Sequence, residues 1–248
     1  MKGYKTIYLL PNLMTTAALF CGFYAILAAY DDRFSFAAIL IFVAMIFDGL
    51  DGRIARLTKT ESNFGVQYDS LSDMVSFGVA PALVLYQWSL YAVAKTPFLP
   101  AKLGWMAAFI YAACAALRLA RFNVQVAEID KSVFIGLPSP SAAAIVSGYV
   151  WVGTRYGWQG HTLVTLSIVI MLVAGLSMVS NFKYYSFKTF KLQSRLPFSR
   201  AFLPALLLAL IFLEPSPVLF CLFSIYGISG PVWTLWRVLK RRRRDQVG

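Results

Sequence analysis

Asp48 and Asp51 stand three residues apart at the end of the apolar run "AAILIFVAMIF", and Asp69 and Asp73 stand four apart a little further on, in a chain with only 11 acidic residues. A carboxylate set against lipid costs several kcal/mol, so acids at that depth normally face a cavity and mark a site. Residues three and four apart share a helix face. Asp48, Asp51, Gly52 and Ala55 therefore form one stripe, and Asp69 and Asp73 another. If the stripes converge, a pair of carboxylates about 4 Å apart repels by roughly 4 kcal/mol at an effective dielectric near 20, so protons or cations must neutralise them. All-oxygen ligands favour Mg2+, Mn2+ or Ca2+, and four aspartates can share two such ions.

The residues among the acids narrow the chemistry. Gly52 removes a side chain next to Asp51 and lets a bulky ligand approach the helix backbone, while Ala55 keeps the next turn shallow. Arg56 lies on the same side, and a planar guanidinium pairs well with phosphate oxygens. Divalent ions, an arginine and a cleared groove together describe a diphosphate site. Singly, each residue has a plainer role: Asp51 and Arg56 as a snorkelling pair, Gly52 as a helix-packing contact, Asp73 as a charge favoured at a helix N-terminus. A divalent-cation or proton transporter would also use clustered acids. It leaves the glycine and arginine unexplained, and the outer halves of the flanking runs are apolar where conduction needs polar groups.

Long apolar elements must position these residues. The 248 residues are 59% hydrophobic and 14% charged, which reads as a polytopic, all-α integral membrane protein. A span needs about 20 apolar residues, and eight candidate runs meet the pattern: 9–30, 34–56, 70–93, 104–122, 138–153, 162–179, 201–213 and 218–236. The seventh is short and carries Pro204. Eight spans put both termini on one side, together with all but four of the 23 basic residues; Arg33, Lys95, Lys102 and Arg155 fall opposite. Basic residues favour the cytoplasmic side, so both termini and the acids are expected there, in the inner (cytoplasmic) membrane. The first run is expected to be a retained helix, since it lacks a small-residue cleavage site. The chain reads as one membrane domain over 1–248, with the acids in 48–73 and a basic cytoplasmic tail over 237–248. That tail suits anionic lipid headgroups better than nucleic acid. Cys21, Cys114 and Cys221 have no metal-ligand spacing and read as buried small hydrophobes.

Asp48, Asp51, Gly52, Ala55, Arg56, Gly65, Asp69 and Asp73 match without departure the D-x2-D-G-x2-A-R-x8-G-x3-D-x3-D signature of the CDP-alcohol phosphotransferases, and the chain resembles that family. The resemblance implies an integral membrane enzyme that transfers a phosphoalcohol group from a CDP-alcohol to a second alcohol and releases CMP. It implies that Asp48, Asp51, Asp69 and Asp73 hold two divalent ions (Mg2+ or Mn2+), with Asp73 also the general base, and that Gly52, Gly65 and Arg56 contact the nucleotide diphosphate. Ala55 keeps that groove shallow, and Ser62 occupies the position where relatives place a hydroxyl on the nucleotide. A homodimer is also implied.

Three further stretches, "LPNLMT", "RLARFN" with "GLPSP", and "MVSNFKYYSFK", resemble the branch of the family that uses L-serine. This implies CDP-diacylglycerol and L-serine as substrates, with phosphatidylserine and CMP as products. Glycerol phosphate, inositol phosphate or choline stand as alternative acceptors. Serine's carboxylate needs a cation of its own, and Arg118 and Arg121 are candidates; snorkelling at a helix end is the plainer role. Asn12, after Pro11, is a candidate to bond cytidine or phosphate, or else marks a helix start. His161 falls on the side away from the acids. A gap open sideways to lipid is expected, since the acyl chains stay in the bilayer while the nucleotide reaches water.

Overall fold

The computed structural model describes residues 9–91, 102–125, 133–185 and 198–245. Helices α1 (Leu9–Tyr30) and α2 (Phe34–Thr58) form an antiparallel hairpin. Asp32 turns the chain between them in the left-handed conformation, at φ 58. Alanines dominate their shared face: Ala25, Ala28, Ala29, Ala37, Ala38 and Ala44 are all buried. Small residues let helix backbones approach closely where lipid removes the hydrophobic drive for association.

α2 stops abruptly. Lys59 takes a left-handed conformation, its N–H bonds the Arg56 carbonyl, and Thr60 N–H reaches back to the Ala55 carbonyl. This closes the helix in the double-bonded manner usual at glycine C-caps. Ser62 then caps α3 (Asn63–Asp73), its Oγ accepting the Gly65 N–H at 3.0 Å. The tight joint brings the two acidic stripes to one level.

Helix continues from α3 through a π-helical stretch, Met74–Val79, into α4 (Ala80–Trp88). Pro81 has no N–H for the carbonyl of Phe77, and its ring crowds that carbonyl. The π-turn widens the helix there, and the buried Tyr111 hydroxyl donates to the Phe77 carbonyl at 3.1 Å. Against the same stretch, α1 crosses so closely at Gly22 that a Cβ would come within 2.5 Å of Ser76 Oγ.

α5 (Leu103–Gln125) carries Tyr111 and packs on the π-stretch and on α7 (Val164–Val179). α6 (Ser139–Arg155) runs through the middle of the bundle, between α2, α4, α7 and the last helix, α9 (Pro215–Asp245), and most of its residues are buried. α8 (Phe198–Leu213), with Pro204 inside it, leads into the 31-residue α9 (Pro215–Asp245). At 1.5 Å per residue α9 is about 46 Å long, more than the hydrocarbon core needs. Among the described residues, four helices are long and apolar enough to cross a membrane: Leu10–Tyr30, Phe34–Thr58, Leu103–Val124 and Pro215–Arg237. Exposed side chains such as Phe20, Phe23, Ile46, Phe109, Phe212 and Ile225 clothe the outside, as a lipid-facing surface requires.

Three sequence expectations need correction. Helix three begins at Asn63 rather than Ser70, because the polar first turns of α3 lack the apolarity used to find the run; residues 92 and 93 of that run lie outside the described residues. Cys221 is exposed, unlike Cys21 and Cys114. The all-α description misses a two-stranded ribbon, β1 (Val133–Ile135) antiparallel to β2 (Lys183–Tyr185), with Phe134 opposite Tyr184. Strands of three residues are too short to show a period of two. At Gly136, φ is +80, and a Cβ would lie 2.2 Å from the Met178 carbonyl oxygen. Only glycine suits that corner.

Candidate active site

Asp48 and Asp51 lie near the end of α2, Asp69 and Asp73 near the middle and end of α3. One carboxylate oxygen from each of Asp48, Asp51 and Asp69 falls within 4.8 Å of the others. Asp73 lies in hydrogen-bonding contact with Asp48 and close to Asp69. The predicted convergence of the two stripes is therefore present. Asp51 is only 6% exposed, and Asp69 Oδ1 is buried with no hydrogen-bond partner among the described residues. A buried, unpartnered carboxylate oxygen beside two further carboxylates is a costly arrangement unless a cation completes it. The donor set is all oxygen and anionic, so it fits a hard divalent ion.

The groove beside the acids is open. A Cβ built on Gly52 meets nothing within 4 Å among the described residues, so the space beside it is open there. Ala55 is half-buried on the next turn and Arg56 is exposed at the rim. From α1, Asn12 reaches the start of α3: a Cβ on Gly65 would lie 3.2 Å from Ser62 Oγ and 3.9 Å from Asn12 Oδ1. Thr16 Oγ1 and the Tyr68 hydroxyl are 2.8 Å apart across the same two helices. Asn12, Ser62 and Gly65, singled out for separate reasons, thus sit together. Ser62 has a capping duty that sequence reasoning did not give it.

The two arginines of α5 separate in role. Arg118 points inward, its Nη1 donating to Ser139 Oγ at 2.7 Å, while its Nε is buried without a hydrogen-bond partner among the described residues. Asp73, Asp48, Tyr226 and Tyr111 lie near its guanidinium among the described residues. Arg121 donates to Asn181 Oδ1 at 3.0 Å and to the Val179 carbonyl at 3.4 Å, holding the end of α7. The stretches "RLARFN", "GLPSP" and the start of "MVSNFKYYSFK" meet here, joined by the β1–β2 ribbon; residues 186–188 of the last lie outside the described residues. His161 lies in the short 3-10 turn Gly160–Thr162 that packs on Trp88, at the end of α4 away from the acids.

Sequence reasoning missed several polar residues that support this region. Thr15 Oγ1 lies 2.5 Å from Asp51 Oδ2, Asn123 Nδ2 donates to Ser70 Oγ at 3.0 Å, and Ser139 and Tyr226 flank Arg118. Thr15, Asn123 and Ser139 lie within the quoted stretches, yet their partners come from elements far away in the chain.

A model of the CDP-alcohol phosphatidyltransferase family matches residues 8–179. Over 236 residues the chain is 36% identical to a CDP-diacylglycerol–serine O-phosphatidyltransferase of Helicobacter pylori, covering 94% of each chain. A protein of the same name from Methanocaldococcus jannaschii is 33% identical over 229 residues, covering 92% of this chain and 96% of its own. One from Bacillus subtilis is 35% identical over 133 residues, covering 54% of this chain and 70% of its own.

Proposed function

Because the chain belongs to the CDP-alcohol phosphatidyltransferase family, we propose that it transfers the phosphatidyl group of CDP-diacylglycerol to the hydroxyl of L-serine, giving phosphatidylserine and CMP. The geometric observation that carries this reading is the meeting of Asp48, Asp51 and Asp69 within 4.8 Å, with Asp73 alongside and Arg118 behind it.

In this reading Asp48, Asp51, Asp69 and Asp73 hold two divalent cations, Mg2+ or Mn2+. When bound, such ions neutralise diphosphate charge and stabilise the departing CMP. Gly52 and Ala55 leave room for the nucleotide, Arg56 pairs with a phosphate oxygen, and Asn12, Ser62 and Gly65 line the far wall. Asp73 accepts the proton of the serine hydroxyl as its oxygen forms the new bond to the lipid-side phosphorus and the bond to CMP breaks. Arg118 receives the serine carboxylate, which its buried and partly unpaired guanidinium suits; Arg121 closes the edge of that pocket by holding α7.

The remaining parts of the reading concern placement. All eight helical rods, counting α3 through α4 as one, cross the inner membrane, with the acids, both termini and the basic stretch over 237–248 on the cytoplasmic side. Lys240 and Arg237 stack on Trp236 and Trp233, with the cations 4.9 Å and 4.3 Å from the ring centres, an arrangement suited to the interface. The working form is a homodimer, which the measured mass of the detergent-solubilised protein checks.

The deciding experiment supplies purified protein with CDP-diacylglycerol and Mn2+ or Mg2+, then serine, glycerol phosphate, inositol phosphate or choline in turn, and measures CMP release. Serine alone supports turnover if the reading holds. Release with another acceptor and none with serine would replace the substrate while leaving the family chemistry intact.

A further inference from the structure

Thr15, in α1, belongs to none of the groups given a task above. It is 4% exposed, and its Oγ1 lies 2.5 Å from Asp51 Oδ2 and 3.1 Å from the Pro11 carbonyl. A hydroxyl has one proton to donate. Pro11 is four residues back in the same helix, so its carbonyl already has the Thr15 N–H as its regular partner. The buried carboxylate oxygen has the stronger claim, since a bond to an ionised acceptor is about twice as strong as a neutral one.

The same residue is fastened to the other acid-bearing helix. Its carbonyl accepts the Ser72 hydroxyl at 3.1 Å, next to Asp73, and one turn on Ser76 donates to the Ala18 carbonyl at 3.1 Å. Through its hydroxyl Thr15 addresses Asp51 on α2, and through its carbonyl it addresses α3. We infer that Thr15 is the positioning residue of the acid cluster: it holds one oxygen of Asp51 so that the carboxylate turns its remaining lone pairs toward Asp48 and Asp69, and it keys α2 to α3 while doing so. This rests on the reading that the cluster holds divalent cations, and it concerns how tightly.

The test titrates Mn2+ alone into full-length purified protein and reads free Mn2+ by electron paramagnetic resonance, with no turnover involved. Groups that orient metal ligands typically contribute about 10- to 100-fold in affinity, so Thr15→Val, which keeps the shape and removes the hydroxyl, should weaken Mn2+ binding by about that factor. Thr15→Ser should restore wild-type binding. On an Asp51→Ala background, Thr15→Val should add no further loss, because its effect passes through Asp51. Wild-type affinity in Thr15→Val, or a further loss on the Asp51→Ala background, overturns the inference and leaves the metal reading standing. If Thr15→Val does not fold, Thr15→Ser decides, and weakened binding in it overturns the inference. Absence of Mn2+ binding by the wild type overturns both.

Discussion

Asp73 neighbours both Asp48, one of the proposed metal-holding acids, and Arg118, the proposed partner of the serine carboxylate. Asp73→Asn keeps the shape and removes both the charge and the basic oxygen. It should nearly abolish CMP release while the protein still purifies as a folded species; wild-type turnover would remove the base assignment. Gly52 tests the neighbouring space in the opposite sense. Gly is about 1 kcal/mol worse than Ala inside a helix, and a Cβ at this place touches nothing among the described residues. Gly52→Leu should therefore raise or preserve the unfolding temperature, yet lower kcat/KM for CDP-diacylglycerol by about 100-fold, the scale of a displaced reactant. A destabilised but active variant would show that the glycine serves packing instead of the nucleotide. Both residues were legible in the sequence because their spacing and type carry the signal. Thr15 was not, since a threonine in an apolar run says nothing until its partner 36 residues away is seen.

The elements that aim these residues are two helix ends and one irregular turn. The closed end of α2 at Lys59 and the Ser62 cap of α3 make a joint short enough to oppose the acids. The π-stretch after Asp73 is explained by Pro81, whose place in the sequence is plain but whose effect depends on Tyr111 of α5 taking the stranded carbonyl. Tyr111→Phe leaves that buried carbonyl short of a partner, at a cost of about 1–3 kcal/mol. A lower unfolding temperature with a matching fall in activity is expected; an unchanged temperature would mean that the hydroxyl does not hold the turn. Apolar runs marked the long helices well, since each run is a local property of its own residues. Their ends were marked poorly, because α3 begins in polar sequence and α9 runs past its apolar part to Asp245.

For the whole molecule, the asymmetry of Lys and Arg sets the expected orientation. In a cysteine-free background, Tyr156→Cys should react with a membrane-impermeant maleimide added to intact cells, and Lys240→Cys should react only after the membrane is opened. The reverse pattern would invert the protein and place the acids outside. Arg155, one of the few basic residues expected on the outer side, forms an ion pair with Glu214, N to O 2.7 Å, between α6 and the α8–α9 corner. A cation that has a structural partner there is a reasonable exception to the charge rule.

What the sequence by itself determined was membership in a class of chemistry and the greasy rods that carry it. Burial in lipid is priced residue by residue, and a signature confined to residues 48–73 needs only one helical hairpin to assemble. The tertiary structure alone decided which arginine faces the acids, that Ser62 caps a helix, that β1 and β2 join two distant stretches, and that Thr15 grips Asp51. Apart from the Ser62 cap, which is local to α3, these depend on groups far apart in the chain coming together, as Thr15 and Asp51 do within the range of a hydrogen bond. Neither composition nor periodicity along one chain specifies a distance between two helices.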